Sequence, residues 1–210
     1  MNFVTRCALT LLFAFSAVVL GDAAQAANDI SKVNGSVKIE PGQQVGDVST
    51  VNGSVTIGAG ARAGEVETVN GSLKIEDKAV VGSAETVNGS ITVGAEAEVQ
   101  RAVEAVNGSL TLRQGAKVAG GLENVNGSML VEGARVEGGI ETVNGDIRLA
   151  TGSHVTGGIH VEEHKSSWWK GKNSRNPRIT IEQGVTVEGP LHFERAVELG
   201  EGDRRGIRAH

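Results

Sequence analysis

Tyrosine is absent from this 210-residue chain, cysteine occurs once and proline three times. The lone Cys7 sits in the N-terminal apolar stretch, so no intrachain disulfide and no thiol chemistry support the rest of the chain. Aromatic residues are scarce, and Phe3, Phe13 and Phe15 fall in that same stretch. A broad globular core would need more aromatic volume. The interior must be filled by Val, Ile, Leu and Ala, which suits a narrow and regular cross-section. Basic clusters are missing too: the net charge is −5, and Lys and Arg are scattered until the last eight residues. That pattern lacks the electrostatic footprint of a nucleic-acid binder.

The first 27 residues read as a cleaved signal peptide. Arg6 gives the positive start, Ala8 to Leu20 an uncharged apolar run, and Ala24-Gln25-Ala26 the small-x-small cleavage pattern. The run is short for a membrane span. The expectation is a periplasmic or secreted protein with no transmembrane segment after cleavage.

What the chain has is a repeat. Val-Asn-Gly recurs with its asparagine at Asn34, Asn52, Asn70, Asn88, Asn107, Asn126 and Asn144, at intervals of 18, 18, 18, 19, 19 and 18 residues. A unit this short cannot bury its own apolar face, so such periods indicate a stacked solenoid. Within units, apolar residues alternate in pairs two apart, such as Leu110 and Leu112, which excludes an amphipathic helix. Gaps between pairs mark corners. One unit offers Val55, Ile57, Ala61, Ala63, Val66 and Val69 as six inward sites. Two others offer Leu110, Leu112, Ala116, Val118, Leu122 and Val125, and Met129, Val131, Ala134, Val136, Ile140 and Val143.

The expected fold is all-β: a single-stranded parallel β-helix, triangular, with 18–19 residues per coil and about eight coils. Right-handed coiling follows the general crossover preference, although left-handed hexapeptide helices also make 18-residue coils. The β-helix is expected over residues 28–194, with a loop insertion at 162–177 and a polar tail at 195–210.

Stacking turns each repeat position into a column. The seven asparagines form a ladder that can pass amide hydrogen bonds along the rod. Asn-Gly-Ser also matches a glycosylation acceptor, but Asn-Gly is wanted at a tight corner in any case. A second, outward column holds Glu67, Glu85, Glu104, Glu123 and Glu141. It reads either as a solvated stripe that keeps rods apart or as a collector of divalent cations. His160 and His192 continue this column, with His164 near Glu162 and Glu163 in the loop. A His patch suits a transition metal, though no cysteine or fixed carboxylate completes the set. The loop holds Trp168 and Trp169 flanked by Lys165 and Lys170, a combination fit for contact with carbohydrate, peptidoglycan or membrane, or for capping the last coil.

The runs Gly133-Ala134-Arg135-Val136-Glu137-Gly138-Gly139-Ile140 and Gln183-Gly184-Val185-Thr186-Val187-Glu188-Gly189-Pro190-Leu191 resemble the Gly-Ala-x-Val-x-Gly-x-Ile units of bactofilins. The resemblance implies a right-handed triangular β-helix and polymer formation. The Thr-Val-Asn-Gly-Ser units are also similar to exported bacterial repeat proteins described as adhesins. Bactofilins usually lack a cleaved signal peptide and the Asn-Gly-Ser corner. The functional expectation is a non-enzymatic, exported structural or interaction protein of the cell envelope, with itself, end to end, or envelope components as partners. The alternative is an adhesin-like binding module acting through Trp168 and Trp169. No nucleophile is paired with a base at a recognisable spacing, and no cofactor is implied.

Overall fold

A computed structural model describes residues 28–163 and 175–200. Residues 1–27, expected to be a signal peptide, His164 and the expected Trp168-Trp169 loop with Lys165 and Lys170 lie outside the described residues.

Every described element is a β-strand, and every strand pairing is parallel, as a single-stranded coil requires. Val, Ile and Thr dominate the strands because branched side chains pack well on a pleated surface. The first face is a nine-stranded sheet that runs from Val37–Ile39 through Leu110–Leu112 to Glu198–Leu199. The third face carries the Val-x-x-Val-Asn strands, from Ile30–Asn34 and Val48–Asn52 to Ile159–Val161 and Leu191–Phe193. Between them a second face is made of two-residue strands such as Glu98–Val99 and Arg135–Val136. In two coils, Arg62–Asn70 and Val80–Asn88, one nine-residue strand runs through the second and third faces. These two strands weld both faces into one 14-stranded sheet.

The stack has about nine turns, one more than the eight counted from the apolar pattern. The additional rung is Glu198–Leu199, where Arg178 pairs with Glu198 and Ile179 with Leu199. It falls in the stretch expected to be a polar tail. Register survives the interruption at 162–177: Ile147 still pairs with Ile179, and Ile159 with Leu191. The two ends of that insertion are tied down. The Glu163 N–H donates to Glu194 Oε2 at 3.1 Å, and Asp146 accepts from the Arg178 N–H at 2.9 Å and from the Arg175 guanidinium.

The inward columns on the first two faces match the pattern. Val55, Ile57, Leu110, Leu112, Ala116, Val118, Met129 and Val131 are buried. Each fully buried Val, Leu or Ile contributes about 1.5–3 kcal/mol.

The third face differs from expectation in its second inward site. Strict alternation from Val66 leads to Thr68, not Val69, and Thr68 is the buried residue. Thr50, Thr86, Asn124 and Thr142 occupy the same column. The threonine hydroxyls are tolerated because each is bonded, whereas Asn124 bonds through Nδ2 and leaves its buried Oδ1 without a partner. The hydroxyls of Thr50, Thr68 and Thr86 donate to the carbonyls of Gly35, Gly53 and Gly71 at 3.2, 2.9 and 3.1 Å. Asn124 Nδ2 reaches Gly108 O at 2.6 Å, and Thr142 Oγ1 accepts from the Gly145 N–H at 2.9 Å. Val69 therefore lies on the outer side, half-buried. Val125 and Val143 are covered in a small cluster with Val106, separate from the core.

The Asn-Gly corner needs glycine mainly for close approach. A Cβ on Gly53, Gly71 or Gly89 would stand 2.3, 2.0 or 1.9 Å from the carbonyl oxygen of the glycine one coil earlier. Positive φ is instead concentrated at the corner after the first face, where Gly42, Gly60, Lys78, Glu96, Gly115, Gly133, Gly152 and Gly184 form a left-handed column.

Candidate functional site

The outer surface of the third face gathers most of the chemically capable side chains singled out from the sequence. Three columns run along it.

At its edge is the asparagine ladder. Each Nδ2 donates to the Oδ1 one coil earlier: Asn52 to Asn34, Asn70 to Asn52, Asn88 to Asn70, Asn107 to Asn88, Asn126 to Asn107 and Asn144 to Asn126, all at 3.0–3.1 Å. The Oδ1 of Asn144 then accepts from Arg195 at 2.7 Å, and the same guanidinium nitrogen reaches Val143 O at 3.3 Å. Arg195 is distant in sequence, and nothing in the repeat pattern points to it. The serines that follow the corner glycines extend the ladder to the backbone. The N–H groups of Ser54, Ser72, Ser90 and Ser109 donate to the Oγ of the serine one coil earlier at 3.2–3.3 Å.

The middle column is the carboxylate stripe. Glu67 pairs in register with Glu85, Glu85 with Glu104, Glu104 with Glu123, and Glu123 with Glu141. Ser49 precedes it, and His160 and His192 follow in direct register. An outward parity does not keep the whole stripe in water. Glu85 is only 8 % exposed. Next to it, Arg101 reaches across two coils to pair with Glu65 and meets Ser83 Oγ at 3.3 Å on the way. Burial, followed by the charges of Glu104, Glu67 and Glu65, pushes the Glu85 carboxyl up to about 8, against the opposing pull of Arg101. Burial also raises Glu67, helped by Glu65 and Asp47. Glu85 is therefore largely protonated at neutral pH, which relieves the repulsion expected of stacked carboxylates.

No family model, curated protein or solved structure matches the chain. Its chemistry is read from its own side chains.

A neutral Glu85, second of the five stripe glutamates, is a poor ligand for a hard cation. Among the described residues, sets of three ligand atoms mutually within 4.8 Å occur only at the far end of the column. One is His160, His192 and Glu194; the other is Glu141, His160 and Glu162. Of the five stripe glutamates, Glu141 alone enters either set. The third column, the outer valines, runs from Val33, which is 58 % exposed, to the covered Val143.

Proposed function

We propose that the chain is a non-enzymatic structural protein of the bacterial cell envelope, exported by its N-terminal segment, whose rods join end to end. The bactofilin-like runs point the same way. The carrying observation is the placement of exposed apolar side chains. Among the described residues the large hydrophobics left exposed are Val33 and Leu199, at 58 and 65 %, and they lie on the first and last strands of the stack. The terminal coils also leave core positions half-covered: Ile30 and Val45 at one end, Val185, Val187, Leu191 and Phe193 at the other. A parallel coil ends in a strand edge with unpaired backbone groups, so another coil in the same register is its natural complement. The outer side of the first face and its following corner are different: they carry charged pairs such as Lys74–Glu76, Arg113–Glu132 and Arg148–Glu182, which oppose lateral contact there.

The test is sedimentation and electron microscopy of the purified protein over a wide concentration range. Particles that lengthen with concentration at constant width are expected, and the V33R/L199R variant should stay short. A monomer at every concentration, or association unaffected by that variant, would remove the reading.

A further inference from the structure

We infer that the histidine end of the outer column is a binding site for one divalent first-row transition-metal ion, held by His160, His192 and Glu194. The strands Ile159–Val161 and Leu191–Phe193 place His160 and His192 in direct register, so both imidazoles leave the same side of adjacent coils. Their ring centroids are 5.0 Å apart, and the planes are tilted by 57°, which is not a stacked pair. His160 Nε2 is shielded from solvent, stands 3.4 Å from Glu194 Oε1 and makes no hydrogen bond. A tetrahedral ion with ligands at about 2.0–2.1 Å sets them about 3.3 Å apart, so this pair already has the spacing of two ligands of one ion. The ligand atoms of His160, His192 and Glu194 all lie within 4.8 Å of one another. Rotation of the exposed His192 side chain closes the remaining gap, while Glu194 keeps its Oε2 on the Glu163 N–H and its Oε1 toward His160.

Two further carboxylates flank the site. Glu141 is the register partner of His160 one coil earlier, and Glu162 follows the same strand. Their negative charge offsets that of a divalent ion. The donor set selects the metal: two imidazoles with carboxylate suit Zn²⁺ and its neighbours, whereas Ca²⁺ and Mg²⁺ take oxygen ligands. The ion would join the last two coils of the third face, across the corner from which the 162–177 insertion departs.

The experiment is calorimetric titration of Zn²⁺ into chelator-stripped protein purified without an affinity histidine tag. One ion per chain in the micromolar range is expected, with Ca²⁺ failing to compete. H160N and H192N should each weaken binding by about tenfold or more, and the double variant should abolish it. H154N, at a histidine paired with Glu188 on the second face, should leave affinity unchanged. Circular dichroism of each variant checks that the coils remain stacked. Absence of Zn²⁺ binding by the parent protein, or equal affinity in a folded double variant, overturns the assignment.

Discussion

Replacing Glu85 by Gln should stabilise the rod, and the gain should depend on pH in one direction only. The parent carboxyl titrates near 4.5 in an unfolded chain and at about 8 in the stack. Below about pH 4.5 both states hold the proton, and the group contributes no pH dependence. Between those values the folded state keeps a proton that the unfolded chain has released, so stability falls as pH rises. Above about pH 8 the loss is complete. At about 1.4 kcal/mol per pH unit, the interval sets a ceiling of about 5 kcal/mol. Outward relaxation of the side chain reduces the realised figure to ~2–4 kcal/mol. Glutamine keeps the shape of the neutral acid without the titration. E85Q should therefore exceed the parent by ~2–4 kcal/mol at about pH 9 and by under ~0.5 kcal/mol at about pH 4.5. Urea unfolding followed by far-UV circular dichroism across that range reads the difference directly. An E85Q gain that is the same at both ends, or a variant weaker than the parent at high pH, refutes the burial argument.

The glycine columns predict two different penalties. G89A drives a Cβ into Gly71 O at 1.9 Å, so it should cost at least about 3 kcal/mol or prevent stacking locally, as seen by amide exchange on both neighbouring coils. G42A meets no atom within 4 Å and loses only through its φ of +72°, about 1–2 kcal/mol by the same unfolding assay. N88A removes ladder bonds of 3.0 and 3.1 Å at an exposed edge, and a loss of about 1–2 kcal/mol in stability to denaturant is expected.

The repeat is readable because its corners use a nearly constant triplet and its first two faces use apolar pairs at strict alternation. The third face is harder. Its sequence offers both Thr68 and Val69, and hydrophobicity favours the valine. Thr68 wins because alternation is geometric, and because its hydroxyl finds the Gly53 carbonyl at the corner. The final rung escapes the apolar pattern because Glu198–Leu199 is short and polar, and its pairing to Arg178–Ile179 depends on a chain return that periodicity does not encode. The burial of Glu85 is hidden for a related reason. Outward parity implies water, and only the stack shows Arg101 crossing two coils beside it. Spacing alone aligns the two histidines, but Glu194 and the shielded Nε2 of His160 emerge only in three dimensions.

The interruption at 162–177 has a use beyond its own sequence. Ile147 to Ile179 is a coil of 32 residues in a stack whose other Asn-Gly coils take 18 or 19, yet the strands on either side keep their pairing. Extra chain at this corner therefore leaves the stack in register, and its entropic cost is that of loop closure, which grows slowly with length. The other corners of that edge repeat at about 4.8 Å along the axis. Peptides grafted at two chosen corners would be held at separations fixed in whole multiples of that spacing. In this sense the rod is a ruler, graduated by its asparagines, on which foreign segments can be mounted at known heights.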